Sequence, residues 1–74
     1  MGLAYREHLT RDPAIRSGKV IVRGTRIAVA DILGYMAGGD SVETILEEFP
    51  QLTWEDVLAC IAYAADKESS VEVA

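Results

Sequence analysis

The side chains of this 74-residue chain that could do chemistry are one histidine, one cysteine, twelve carboxylates and seven cations. His8 lies in a polar stretch with no serine or cysteine at a spacing that would let it activate a nucleophile, so it reads as an inert exposed residue. Cys60 sits in an apolar segment and reads as a small hydrophobe. One cysteine and one histidine cannot build a Cys/His zinc site. The carboxylates of Glu47-Glu48 and Glu55-Asp56 are sequence neighbours, so on a helix they splay apart instead of converging on a metal. There is no glycine loop of the Walker type. The expectation is a protein that is not an enzyme and carries no metal or cofactor.

The cations point elsewhere. Residues 1–30 hold six of them against Glu7 and Asp12, a balance of +4, while residues 31–74 hold ten acids against Lys67, a balance of −9. Two halves so different must face different surroundings, or each other. Arg16, Lys19, Arg23 and Arg26 are the one concentrated positive cluster. Such a cluster binds phosphates, or offers an arginine to an acidic pocket. The alternative is pairing with acids of the same chain or of a second subunit. Gly24 permits close backbone approach to a partner, or serves only as turn chemistry. Arg16, Lys19, Arg23, Gly24, Thr25 and Arg26 are therefore the expected DNA- or partner-binding set.

The elements that must position these residues are short. Residues 1–14 have little periodicity and read as an N-terminal extension, with a turn at Asp12-Pro13. Residues 15–27 read as a β-element in which Ile15-Arg16 and Val20-Ile21-Val22 flank a Ser-Gly turn. Arg23-Gly24-Thr25-Arg26 is a second turn signal. Residues 28–66 read as a trihelical unit. Val29, Ile32, Leu33 and Met36 mark a first helix that ends at Gly38-Gly39. Gly34 inside it suggests a neighbouring backbone passing close. A second helix starts at Asp40-Ser41, buries Val42, Ile45, Leu46 and Phe49, and stops at Pro50. A third is capped by Thr53, with Asp56 as a capping-box acid and Leu52 and Val57 as a staple. Residues 67–74 read as a flexible tail. The expected fold is mainly α: a three-helix helix-turn-helix domain, homeodomain- or winged-helix-like, with a short N-terminal β-element.

The third helix has more apolar surface than so small a chain can cover. Trp54, Val57, Leu58, Ile61 and Ala65 make one stripe, expected to face the core. Cys60, Tyr63 and Ala64 point to another side and are the expected subunit or partner interface. A chain of this length hides only about 60% of the surface its unfolded form exposes. Alanines that are simply good surface helix formers are the alternative.

Composition bounds the rest. Half the residues are apolar, which excludes a disordered chain. A net charge of −5 argues against a generally basic nucleic-acid coat. A single cysteine allows no internal disulfide and fits a cytoplasmic home. No apolar run reaches the roughly 18 residues of a membrane span, and the start lacks the apolar stretch of a signal peptide.

Read together, Gly18-Lys19-Val20-Ile21-Val22-Arg23-Gly24-Thr25-Arg26-Ile27, Val29-Ala30-Asp31-Ile32-Leu33, Phe49-Pro50-Gln51-Leu52-Thr53 and the closing Tyr63-Ala64-Ala65 resemble the domain-of-unknown-function family numbered 433. Val20 and Ala28 depart from it, since the family usually has proline there; the change affects loop stiffness and removes no reactive group. The resemblance implies a helix-turn-helix domain with an N-terminal β-element. It also implies a VapB-type antitoxin role beside a PIN-like nuclease toxin. The expected function is an antitoxin-like homodimer that binds such a toxin and regulates its own promoter by binding DNA. Glu55, Asp56, Ala59 and Tyr63 on the third helix suit base edges poorly, so the basic segment would supply the DNA charge. The alternative function is a structural protein–protein interaction module with no DNA role.

Overall fold

Two three-residue strands and three helices make up the fold of the computed structural model, which describes residues 4–69. Strand β1 is Leu9–Arg11 and β2 is Val20–Val22; helices α1, α2 and α3 are Val29–Ala37, Val42–Glu48 and Trp54–Ser69. The domain is mainly helical and compact, as expected, with a small two-stranded antiparallel sheet.

The sheet is built differently from the expectation. The partner of β2 is not Ile15-Arg16 but Leu9–Arg11, in the register Leu9↔Val22, Thr10↔Ile21, Arg11↔Val20. Arg16–Gly18 instead forms a 3-10 turn whose φ angles are +51°, +59° and +80° at Arg16, Ser17 and Gly18. Three left-handed residues in a row bend the chain away from β2, so no tight hairpin can form there. Residues 5–11 are therefore part of the domain, not an extension: a 3-10 turn at Tyr5–Glu7 leads into β1, and Leu9 enters the core. The turn at Asp12-Pro13 forms, with the Asp12 carboxylate accepting the Ala14 N–H at 2.9 Å.

After β2 the chain reverses at Arg23-Gly24-Thr25-Arg26. The Thr25 hydroxyl donates to the Val22 carbonyl at 2.8 Å and accepts the Ile27 N–H at 2.9 Å. Gly24 there has φ +82°. An isolated bridge between Ile21 and Ala28 then places β2 between two neighbours.

The helices begin and end where their residues require. Asp31 accepts the Ala28 N–H at 3.1 Å at the start of α1, and Gly39 supplies a φ of +104° after its end. Gly34 has open space around it; no other backbone approaches, contrary to the expectation from sequence. Ser41, not Asp40, caps α2 by accepting the Thr44 N–H at 3.1 Å. A reciprocal pair caps α3: Thr53 N–H to Asp56 at 3.0 Å and Asp56 N–H to Thr53 at 3.1 Å. Helix α3 continues through Lys67–Ser69, so that part of the expected tail is helical; residues 70–74 lie outside the described residues.

Ile21, Ile32, Ile45, Val22, Val57 and Cys60 are the largest fully buried side chains. Each aliphatic one contributes about 1.5–3 kcal/mol by leaving water. Helix α3 is rotated from the expected orientation, although Val57 faces the core as expected. Val57, Ala59 and Cys60 face the core, while Trp54, Leu58 and Ile61 face out at 44, 40 and 36% exposure. Small Ala59 and Cys60 let α3 lie close over the core.

Candidate functional site

The expected basic cluster divides into two classes. Arg16 and Arg23 are structural. Arg16 donates to the Arg26 carbonyl at 2.7 Å and to the Asp31 carboxylate at 2.9 Å. That ion pair ties the left-handed turn to the first turn of α1. The Arg16 hydrogen bond, opposed by partial burial and helped by the Ala28 N–H, holds the Asp31 carboxyl below its ordinary value. The stabilisation this gives is complete above the unfolded carboxylate range, near pH 4, and is lost as pH falls through the lowered value. The Arg23 guanidinium donates to the backbone carbonyls of Arg6, Glu7 and Leu9 at 2.9, 3.3 and 3.0 Å, fastening the first 3-10 turn to the sheet. The two halves of opposite charge do face each other in part, here through Arg16 and Asp31.

Lys19 and Arg26 are different. Both side chains are exposed and make no hydrogen bond or ion pair among the described residues. Arg11 joins them from β1. An open hollow of about 660 Å³ lies between Arg11 and Arg26, with Gly24 and Thr25 on its edge. Arg11 escaped the sequence reading because the strand that presents it did.

A second surface combines charge with apolar floor. Two adjoining hollows of about 370 and 310 Å³ share Val20 and Tyr63. Val29, Ala30 and Leu33 continue the floor, whose lining on the α1 side is almost wholly apolar. Arg6, Arg11, Lys19 and Lys67 stand around it, and no acid lines either hollow. The ring of Tyr63 is fixed by an edge-on contact with Tyr5, centroids 5.5 Å apart at 86°, and the Lys67 ammonium lies 5.4 Å from its centre. The Tyr5 hydroxyl donates to Asp66, a hydrogen bond that raises the phenol pKa. The groove thus has an anchored aromatic floor and a positive rim.

Of the expected interface residues on α3, burial removes Cys60, while Tyr63 and Ala64 keep part of their surface and Tyr63 floors the groove. Cys60 is fully buried, Ala64 is half-buried, and Tyr63 packs against Tyr5 and the core. Burial pushes the Cys60 thiol up to about 11, with Asp56 adding to the effect. His8 is not an isolated surface residue either. Its Nδ1 donates to Asp56 at 2.9 Å, joining the segment before β1 to the first turn of α3. Burial raises the Asp56 carboxyl, but the Thr53 N–H and His8 outweigh it and the net shift is downward.

Among the described residues no three His, Cys, Asp or Glu side chains come close enough to hold a metal, and no helix is long and apolar enough to cross a membrane.

The uncharacterized protein y4eO of Sinorhizobium fredii is 43% identical to the chain over 61 residues, which are 82% of this chain and 28% of that protein. The chain thus spans little more than a quarter of this curated relative. The crystal structure of a DUF433 member protein from Anabaena variabilis superposes with a TM-score of 0.79 at 27% identity, over 84% of this chain and 61% of that one. The family described as "Protein of unknown function (DUF433)" matches residues 9–64, from the first residue of β1 to the Tyr63-Ala64 turn of α3, and the chain belongs to it.

Proposed function

We propose that the chain is a non-enzymatic, antitoxin-like binding module whose groove over Val20, Leu33 and Tyr63 receives an acidic, apolar segment of a partner protein. The observation that carries this reading is the positive rim of Arg6, Arg11, Lys19 and Lys67 around an apolar floor. A partner segment with leucine- or phenylalanine-type anchors would fill the floor, and its carboxylates would meet the rim. The family resemblance suggests a PIN-like nuclease encoded beside this chain as that partner. The trihelical helix-turn-helix arrangement serves in this reading as a packing scaffold. Its third helix presents Trp54, Glu55, Leu58 and Ile61 outward, which suits neither phosphates nor base edges.

Co-expression with the neighbouring gene product tests the proposal. The wild-type chain retains it on a column, and the Arg11→Glu/Lys19→Glu double variant, with unchanged helical circular dichroism, loses at least about tenfold in affinity. Retention equal to wild type overturns the groove assignment.

One observation favours a second reading. Arg11, Lys19 and Arg26 are exposed, and Arg11 and Arg26 line the larger hollow together with one acid, Asp12, as phosphate contacts of a repressor would. In that case Arg26→Ala weakens duplex DNA binding and reduces its salt slope by about 1, while partner retention is unchanged.

A further inference from the structure

The exposed side of α3 is a separate surface. Trp54, Leu58 and Ile61 are each more than a third exposed, and Ala65 is exposed beyond them. Their spacing of four, three and four residues is that of consecutive d and a positions in a heptad repeat. At 100° per residue the four side chains fall within a narrow stripe, on the side opposite Ala59 and Cys60. Tyr63, which floors the groove, also lies on the far side. Glu55 flanks the stripe, Glu68 continues it at the next d position, and no cation of α3 lies on it.

We propose that this stripe is the seam of an antiparallel, two-fold pairing between two copies of the chain. The stripe is complementary to itself in that arrangement. A two-fold axis between Leu58 and Ile61 sets those two against each other across the seam, and sets the large Trp54 over the small Ala65 of the second copy. Isologous contacts of this kind close at two and leave no face for further growth. Charge selects the direction. Parallel pairing would set Glu68 directly against Glu68 of the other copy, in a chain already at −5. Antiparallel pairing separates the two Glu68 side chains and carries each to the N-terminal end of the other α3, where the helix dipole favours an acid. Two heptads make a small contact beside the roughly 800 Å² per partner of a standard interface. The pairing is therefore weak and reversible. Because the protomers are both acidic and the seam is apolar, added salt strengthens it.

Trp54 is the sole tryptophan, so its emission reports the seam directly. The experiment follows sedimentation and tryptophan emission of the full chain from about 1 mM down to about 1 µM. The expected result is a mass near twice 8.0 kDa at the high end, falling to the monomer on dilution, with emission moving to the red in step. Leu58→Glu and Ala65→Glu, both at exposed positions, remain monomeric throughout with unchanged circular dichroism. A mass independent of concentration, or a Leu58→Glu chain that still pairs, overturns the seam. Ready disulfide formation between two Ala65→Cys copies overturns the antiparallel direction. Retention of a neighbouring gene product does not enter these readouts, so the groove and the seam fail independently.

Discussion

Cys60 illustrates how burial decides what a reactive residue type does. Its side chain has no exposed surface, and desolvation pushes the thiol up to about 11. At pH 8 only about one molecule in a thousand carries the thiolate that reagents attack. Native protein is expected to react with a thiol-specific reagent at least about a hundredfold more slowly than the chain in denaturant, with the rate read by reagent absorbance. Equal rates would mean that α3 is not seated over Cys60. The same dependence on surroundings separates the arginines. Arg16, Arg23 and Arg26 look alike in sequence, yet one is bound to Asp31, one to three carbonyls, and one reaches into solvent. Residue type and clustering were legible there. The division of roles was not, because the acceptors for Arg23 lie fourteen to seventeen residues away, on the first turn and on β1, whose positions only the folded sheet defines.

Among the elements, α1 contains an unused reserve of stability. Gly34 sits mid-helix, with no atom within 4 Å of where a Cβ would stand and no left-handed backbone requirement. Gly34→Ala is expected to stabilise the chain by about 0.5–1 kcal/mol, measured by urea unfolding. A loss of stability would indicate a neighbour at that face after all. Where the pattern was strongly amphipathic, as in Val42, Ile45, Leu46 and Phe49 of α2, or where a cap had its partner three residues away, as in Thr53 and Asp56, sequence led to the right element. Helix α3 lacks that contrast. A segment apolar on every side specifies a helix but not its rotation, and tight approach through Ala59 and Cys60 decided it in favour of the smaller residues. Strand β1 is three residues long, and it pairs across a wide connection instead of a two-residue turn, so neither periodicity nor turn chemistry marked it.

Over the whole molecule, the groove was the least legible feature, since β1, β2, α1 and α3 all contribute to it. The same interdependence makes the first residues essential. Deleting residues 1–11 removes β1, the core side chain of Leu9, the His8–Asp56 bond and all three acceptors of Arg23. The shortened chain is expected to lose its cooperative thermal transition in circular dichroism. Retention of that transition would assign the segment a merely peripheral place.

The bond between Tyr5 and Asp66 joins residues 61 positions apart. The first and last turns of the described residues are therefore tied together on one side of the domain. A unit with adjacent entry and exit can be spliced into a surface loop of a larger host without stretching either connection, or joined to other domains at both ends from one side. Fluorophores attached at Ala4 and Glu68, beside that bond, should accordingly lie close enough to report on each other.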